Sequence, residues 1–485
     1  MPLDSSLDPT DAAEVEAFLR AFRVLAERAA TLPLEQEEPV SELVSARLGL
    51  PAAGLTSIGI AVEEVDRPNA QLAIDELMSA DPDGELLGLS SELAHYPSFS
   101  LAAIVTGRFL GPAGATHPTF EDVPVDVDAT LRCVRAGIWL VSADSGPVAI
   151  GLAPEVSPNL DARGMRLEVF AATLDLAQDV LTHLVDRMRD LNVYRGKVLS
   201  FSFDEYGGFG TRFMQRPTTA VDDLILPPAD LASILSQTVD AGRWADELRA
   251  AGQHLRRGML LYGPPGTGKT HTVGHLMAAM PDRTVVVLQG PSVGALGQAA
   301  AMVRGLSPSM LVIEDVDLIA TARGMYDDDS ANPLLFQLLN EMDGLAPTDD
   351  VLFVLTTNRF EVLEPALTAR PGRIDHAVKI DLPDAEARQR LLDLYLSPVE
   401  HRIVDAGPVI AHTEGTTASF MKELVRRAVL NSLEAGDGGV VTDPHLASAT
   451  SDLLTVRGAL LDAASLEGGF DPEWDDDWDV DEDDD

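Results

Sequence analysis

The sequence predicts an α/β fold: a parallel sheet with helices on both faces, preceded by an α+β accessory domain and followed by a small helical domain. Three observations carry that prediction. Short apolar runs at 284–288, 310–313, 351–356 and 377–380 alternate with helix-period segments, the pattern of βαβ units. A glycine-rich loop, Gly263-Pro264-Pro265-Gly266-Thr267-Gly268-Lys269-Thr270, lies between the apolar run Met259-Leu-Leu-Tyr and a helix-period segment. Beyond 385 the helical pattern continues at about 385–396, 418–434 and 444–462 with no further strand signal.

At 485 residues the chain has room for two to four domains. Its formal net charge is −43, and −32 without the stretch 471–485, which holds 11 acids and no base. Such a field repels phosphate backbones, and no Lys/Arg cluster offsets it, so general nucleic-acid binding is disfavoured. A single cysteine, Cys133, excludes an intrachain disulfide and any zinc cluster built on several cysteines. The N-terminus has no basic stretch followed by an apolar core, and no run reaches about 18 apolar residues. The expectation is a soluble, cytoplasmic protein without a membrane span.

From the N-terminus, 11–31 reads as a helix, because Phe18, Leu19, Phe22, Leu25 and Ala26 recur at three-to-four spacing and Leu32-Pro33 follows. Runs at 136–141 and 166–170 read as strands, 174–190 as a helix and 197–203 as a strand. Tyr194-Arg-Gly-Lys197 reads as a turn into that last strand. No residue pattern before 205 spells chemistry. From 221 the pattern changes: 231–249 reads as one helix leading to the glycine-rich loop. The end, from about 467, buries too little apolar surface to order itself, although Trp474 and Trp478 make it a candidate docking peptide.

The loop carries the first chemistry. Its glycines let successive N–H groups curl toward a phosphate, Lys269 reaches the β/γ-phosphates, and the Thr270 hydroxyl suits Mg²⁺. Downstream, Met310-Leu-Val-Ile-Glu314-Asp315-Val-Asp317 delivers carboxylates from the end of an apolar run. One carboxylate can hold the Mg²⁺ shell while another orients or deprotonates a water. The run 351–357 ends in Asn358, and Ala369-Arg370-Pro-Gly-Arg373 supplies two guanidinium groups suited to transition-state charge.

In that order these elements resemble the AAA family of the AAA+ ATPases over about 220–460. Leu338-Leu-Asn-Glu-Met-Asp-Gly344 and Thr413-Glu-Gly415-Thr-Thr-Ala418-Ser-Phe-Met match further stretches of that family. The resemblance implies that Gly263 to Thr270 and His271 bind ATP, that Thr270 and Glu314 hold Mg²⁺ partly through water, and that Glu314 and Asp315 form the Walker B pair. It further implies that Asn358 is sensor 1, that Gly415 and Ala418 belong to the lid turn at the adenine, and that Arg370 and Arg373 reach the nucleotide of a neighbouring subunit. Fingers supplied in trans imply a homo-hexamer. The implied organisation is 1–205 accessory and partner-recognition domain, 206–384 large ATPase subdomain, 385–466 helical lid, and 467–485 acidic tail. The implied activity is ATP hydrolysis coupled to remodelling or disassembly of a protein partner.

Two departures qualify it. The family's usual acidic pair is Asp-Glu, and here it is Glu314-Asp315, so the catalytic position is about one methylene shorter. A misplacement of about 1 Å can cost ~100-fold, and slow but real hydrolysis is the expectation. Protein-threading members carry an aromatic residue after the second strand, whereas Gln289-Gly-Pro-Ser-Val-Gly-Ala-Leu296 has none, leaving Leu296 as a weak grip or the whole stretch as an ordinary connection. Tyr326 beside Asp327-Asp-Asp329 reads as a solvated acidic loop or a second grip. No H-E-x-x-H is present, which excludes the membrane-protease branch. An ATP-gated assembly scaffold with little turnover and a nucleic-acid motor are the alternative readings.

Overall fold

The computed structural model describes residues 12–30, 38–89, 100–109, 114–143, 145–156, 163–203, 209–317, 333–361, 374 and 376–467. Arg370, Arg373, Tyr326, Asp327 to Asp329, Trp474 and Trp478 lie outside them. The chain divides into two compact units, Met1–Gln215 and Arg216–Asp485.

Unit 1 begins with helices α1 (Ala12–Ala30) and α2 (Val40–Leu48), then β1 (Thr56–Glu63), α3 (Arg67–Ala80), β2 (Glu85–Gly88) and α4 (Leu101–Val105). There follow β3 (Phe120–Asp126), β4 (Ala129–Val134), β5 (Gly137–Ala143), β6 (Gly146–Val156), β7 (Arg163–Ala171), α5 (Leu174–Asp190), β8 (Val198–Phe203) and β9 (Phe209–Met214). The helices and strands read from the sequence in this half are all present, and Gly196 at φ 68 makes the turn into β8. An antiparallel sheet of order β1-β7-β6-β5-β2 forms its centre. Period-2 alternation places Trp139 and Val141 of β5 against α3 and α5, and Ile138 and Leu140 against α2 and α4. Both faces are thus covered, which explains why β5 reads as an unbroken apolar run. The apolar stripe of α1 is different: Phe18, Leu19, Phe22 and Leu25 are exposed, with the Phe18 and Phe22 rings stacked at 6.1 Å.

Unit 2 opens with α6 (Pro228–Leu235), α7 (Ala241–Arg243) and α8 (Ala245–Ala250) in place of one helix over 231–249. The interruption has a local cause. Thr238, fully buried, returns its hydroxyl to the Ile234 carbonyl at 2.7 Å within a π-helical turn over Ser236–Asp240, and Trp244 then leaves helical geometry at φ −98, ψ 21.

Next come β10 (Arg257–Tyr262), α9 (Lys269–Ala279), β11 (Thr284–Leu288), α10 (Leu296–Gly305), β12 (Ser309–Ile313), α11 (Pro333–Asp343), β13 (Val351–Thr357) and β14 (His376–Lys379). The five strands of this unit run parallel in the order β14-β10-β13-β12-β11. Every residue of β11, β12 and β13 is buried, as expected for a sheet covered on both faces. Because β10 is followed in sequence by β11 at the sheet's far side, loops at the C-terminal ends of β10, β12 and β13 open around one crevice, the usual ligand position in such sheets. At the opposite end Asp350 is buried between two arginines, with Arg283 at 2.5 Å and Arg257 also bonded to it. Arg283 further donates to the Ser309 and Asp350 carbonyls, both at 3.2 Å.

The helical part comprises α12 (Ala385–Leu396), α13 (Gly407–His412), α14 (Ala418–Glu434) and α15 (Asp443–Glu467), with the two-residue pair β15 (His401–Arg402) and β16 (Val441–Thr442). Asp384 and Thr417 cap α12 and α14 through their side chains, and Leu392, Met421, Leu424 and Leu446 form its core. Among the described residues no helix is long and apolar enough to cross a membrane.

Candidate active site

The site is built on the loop between β10 and α9. Gly263, Gly266 and Gly268 have φ of 143, 78 and 112, a region that side chains rarely adopt. A Cβ on Gly263 would lie 2.1 Å from the Ile380 carbonyl oxygen, so only glycine fits there. The loop is braced from within: the Thr267 hydroxyl donates to the Pro264 carbonyl at 2.9 Å and Thr272 donates to that of Gly268 at 3.0 Å. Gly268 precedes α9 without a side-chain cap, leaving the first-turn N–H groups directed outward. Lys269, 6 % exposed, donates to the carbonyls of Gly263 and Pro264, each at 2.8 Å. Burial pulls its pKa down, while Asp315 and Asp317 push it back up. Thr270 and His271 are exposed in the first turn of α9, Pro265 is exposed and Pro264 is half-buried.

The carboxylates stand at the end of β12. The Glu314 carboxylate accepts from the Gln289 amide and the Thr270 hydroxyl, and burial raises its pKa against those two donors. Thr270 and Glu314 therefore already sit together as oxygen donors. This arrangement fits Mg²⁺, which takes one or two protein oxygens and keeps the rest for phosphate and water. Asp315 has φ 50, the one described non-glycine residue with positive φ. Its N–H donates to the Thr356 hydroxyl at 3.0 Å and its Oδ1 accepts from Asn358 Nδ2 at 3.1 Å. Aspartate is among the few residue types that tolerate this backbone region, so the short acid suits the local conformation. Asp317, 5 % exposed, accepts from the Thr357 hydroxyl at 2.8 Å and the Asn358 N–H at 3.1 Å, locking the end of β13 to that of β12.

The helical part closes on the same loop. The Ser419 N–H donates to the Gly266 carbonyl at 3.1 Å, and a Cβ on Gly266 would meet the Ser419 and Thr417 hydroxyls. Gly415 turns at φ 72 and its carbonyl accepts from Arg457 at 2.9 Å, while Ala418 opens α14.

The structure thus brings Lys269, Thr270, Glu314, Asp315 and Asn358 into one hydrogen-bonded crevice and sets the Gly415–Ala418 turn within one helical turn of Ser419. It adds Gln289, Thr356, Thr357 and Ser419, which the sequence reading did not assign to the site, and turns Asp317, read as one of the delivered carboxylates, toward Thr357 and the Asn358 N–H. The signal for Thr356 and Thr357 was present as two polar residues ending an apolar strand. Leu296 is buried, 1 % exposed, at the start of α10 rather than presented on a surface, and the preceding Gly290–Ala295 stretch folds into a 3₁₀ helix whose Ser292 hydroxyl accepts from the Gln289 N–H.

Comparison with known proteins agrees with this geometry. Residues 259–382 match the family model "ATPase family associated with various cellular activities (AAA)". The chain is 36 % identical over 204 residues to the proteasome-activating nucleotidase of Methanopyrus kandleri, covering 39 % of this chain and 46 % of the relative. It is 35 % identical to the ATP-dependent zinc metalloprotease FtsH of Nitrosococcus oceani (40 % and 32 % covered). It is 31 % identical to the 26S protease regulatory subunit 6A of Caenorhabditis elegans (37 % and 44 % covered). The chain spans less than half the length of these curated relatives, and those matches cover at most 40 % of it.

Proposed function

The chain carries a domain of the AAA ATPase family, and from that premise we propose that it hydrolyses ATP as an oligomeric ring and uses the turnover to remodel or disassemble a protein partner. The observation that carries this reading is the hydrogen-bonded set Asp315–Asn358–Thr356 beside Lys269 and the phosphate loop. In the proposed cycle Lys269 exchanges its two loop carbonyls for the β/γ-phosphates, and the α9 N-terminus adds its partial positive charge. Thr270 and Glu314 would hold Mg²⁺, which would supply charge neutralisation at the phosphates. Asp315, held at Oδ1 by Asn358, orients the attacking water and takes its proton on Oδ2 as ADP leaves. Arg370 and Arg373 complete the site of a neighbouring subunit, and a homo-hexamer is the proposed assembly. Gly415 and Ala418 lie at the adenine.

The names of the relatives, a proteasome-activating nucleotidase and a protease regulatory subunit, support a protein client. Net charge −43 speaks against a nucleic-acid client, and one cysteine suits a reducing cytoplasm. The test is ATP turnover across a protein concentration series. Specific turnover that rises with concentration and vanishes in Lys269→Ala is expected. Tight ATP binding with no turnover at any concentration would replace this reading with an ATP-gated scaffold, for which the short, positive-φ Asp315 is the specific support.

A further inference from the structure

In unit 1, β1 pairs along all eight residues with β7 on one side and forms the end of the sheet on the other. Among the described residues no strand covers that outer side. Natural edges are usually blunted by lysine, proline or a bulge. The β1 sequence Thr56-Ser-Ile-Gly-Ile-Ala-Val-Glu63 has none of these, and its register with β7 is unbroken. Gly59 is accounted for by β7, since a Cβ there would lie 2.6 Å from the Leu167 carbonyl oxygen.

Ile58, Ile60 and Val62 face α3 and α5. Beside the C-terminal half of β1, on that same side, a cavity of about 280 Å³ opens between the strand, the start of α3 and the end of α5. Val62, Val185 and Met188 supply apolar wall, and Glu63, Asp66 and Asn69 the polar end. Asn69 is engaged at both ends: its amide donates to Asp66 Oδ1 at 2.9 Å and its carbonyl oxygen accepts from the Val193 N–H at 2.9 Å. The cations nearby are engaged elsewhere. Arg189, also on the cavity wall, donates to Asp186 at 3.4 Å, and Arg67 is held by Glu64 and Glu121 at 3.1 and 2.9 Å. The Asp66 carboxylate therefore faces a small, half-apolar cavity with no cation bonded to it among the described residues. Burial accordingly holds the Asp66 carboxyl above its usual range, with Asn69 opposing.

An extended chain added to β1 would send alternate side chains to the helix-covered side, where this cavity lies. A long basic side chain suits it, with the aliphatic stem along Val185 and Met188 and the charged head at Asp66. We propose that the edge of β1 left uncovered among the described residues binds an extended segment of the protein client as an added strand, with one Lys or Arg of that segment seated against Asp66. This rests on the protein-remodelling reading above and names how unit 1 selects the client.

The test uses the full chain and fluorescence anisotropy with labelled octapeptides of alternating Val and Thr bearing one central Lys, Glu or norleucine. The Lys peptide is also prepared with N-methyl groups on either the odd or the even backbone nitrogens. Expected are binding of the Lys peptide at least about tenfold tighter than the Glu peptide, loss of that preference in Asp66→Asn, and its retention in the exposed-site variant Glu63→Lys, whose side chain lies on the other face of β1. One N-methyl pattern should bind and the other fail, because only alternate N–H groups face the edge. Equal binding of Lys and Glu peptides, or equal effects of the two methylation patterns, overturns the proposal. Failure of every peptide together with a changed oligomeric state in Glu63→Lys overturns it too, assigning the edge to a second copy of this chain. ATP turnover measured on the same preparations is independent of these readouts: its absence with intact peptide selection sinks the ATPase reading and leaves the peptide site standing.

Discussion

The two ends of the parallel sheet divide the work of unit 2. At the C-terminal end, Glu314 and Asp315 hold charge met by the neutral donors Gln289, Thr270 and Asn358, with Lys269 bonded to neutral carbonyls rather than to an acid. At the N-terminal end, Arg257 and Arg283 close on Asp350 and the remaining guanidinium donors go to backbone carbonyls. One end keeps interactions available for a ligand, whereas the other consumes them inside the fold. The difference teaches that a buried charge is informative through its partners rather than its burial.

If that division holds, each end breaks in its own way. Lys269→Ala removes the cation that suits the phosphates and should lower kcat at least about 100-fold, with the folded state retained by circular dichroism. Asp350→Ala leaves two guanidinium groups buried without their carboxylate and should cost about 3–5 kcal/mol in urea unfolding. Its turnover per folded molecule should stay near that of the parent, and a selective loss of kcat without a stability change would erase the contrast. Gly263→Ala crosses the divide: a Cβ 2.1 Å from the Ile380 oxygen and a φ of 143 should cost about 1–3 kcal/mol and abolish ATP binding.

Finer changes sharpen the comparison. Asp315→Glu restores reach toward the water but places a longer side chain at φ 50, so turnover should rise several-fold while stability falls by about 0.5–1 kcal/mol. Unit 1 offers a control with no ligand assigned by motif. The Asp66 pKa is raised above 3.8 by burial, so its ionised form opposes folding: its favourable contribution is full below pH 3.8 and is lost as pH rises through the folded value. Asp66→Asn should therefore stabilise the protein at pH 7, with the gain shrinking on acidification, as read from urea midpoints at both pH values.

What the sequence disclosed follows the same physics. The phosphate loop, the Glu314-Asp315 pair and Asn358 were legible because each lies in a short contiguous stretch at a strand end. The strands and helices that periodicity picked out are present except over 231–249, where buried Thr238 turns its hydroxyl back on the helix; β1 to β4, β6, β9, α2 to α4 and the β15–β16 pair carried no such signal. The Arg257–Asp350–Arg283 cluster was illegible, since Asp350 lies 93 and 67 residues from its partners and only the folded sheet joins them. Gln289 reads from the sequence only as part of a connection, and its bond to Glu314 depends on neighbouring strands rather than on spacing. The β1 edge has no residue signature at all, because what it offers is backbone.

Gly266 accepts the Ser419 amide through its carbonyl, so the loop proposed to bind phosphate meets the helical part main chain to main chain. Such a joint has no rotamers through which slack can be taken up. A shift of a few tenths of an ångström in the loop must carry the 17-residue α14 with it or sever the contact. It behaves as a gear tooth rather than a spring, and the orientation of α14 becomes a mechanical record of what the loop is holding.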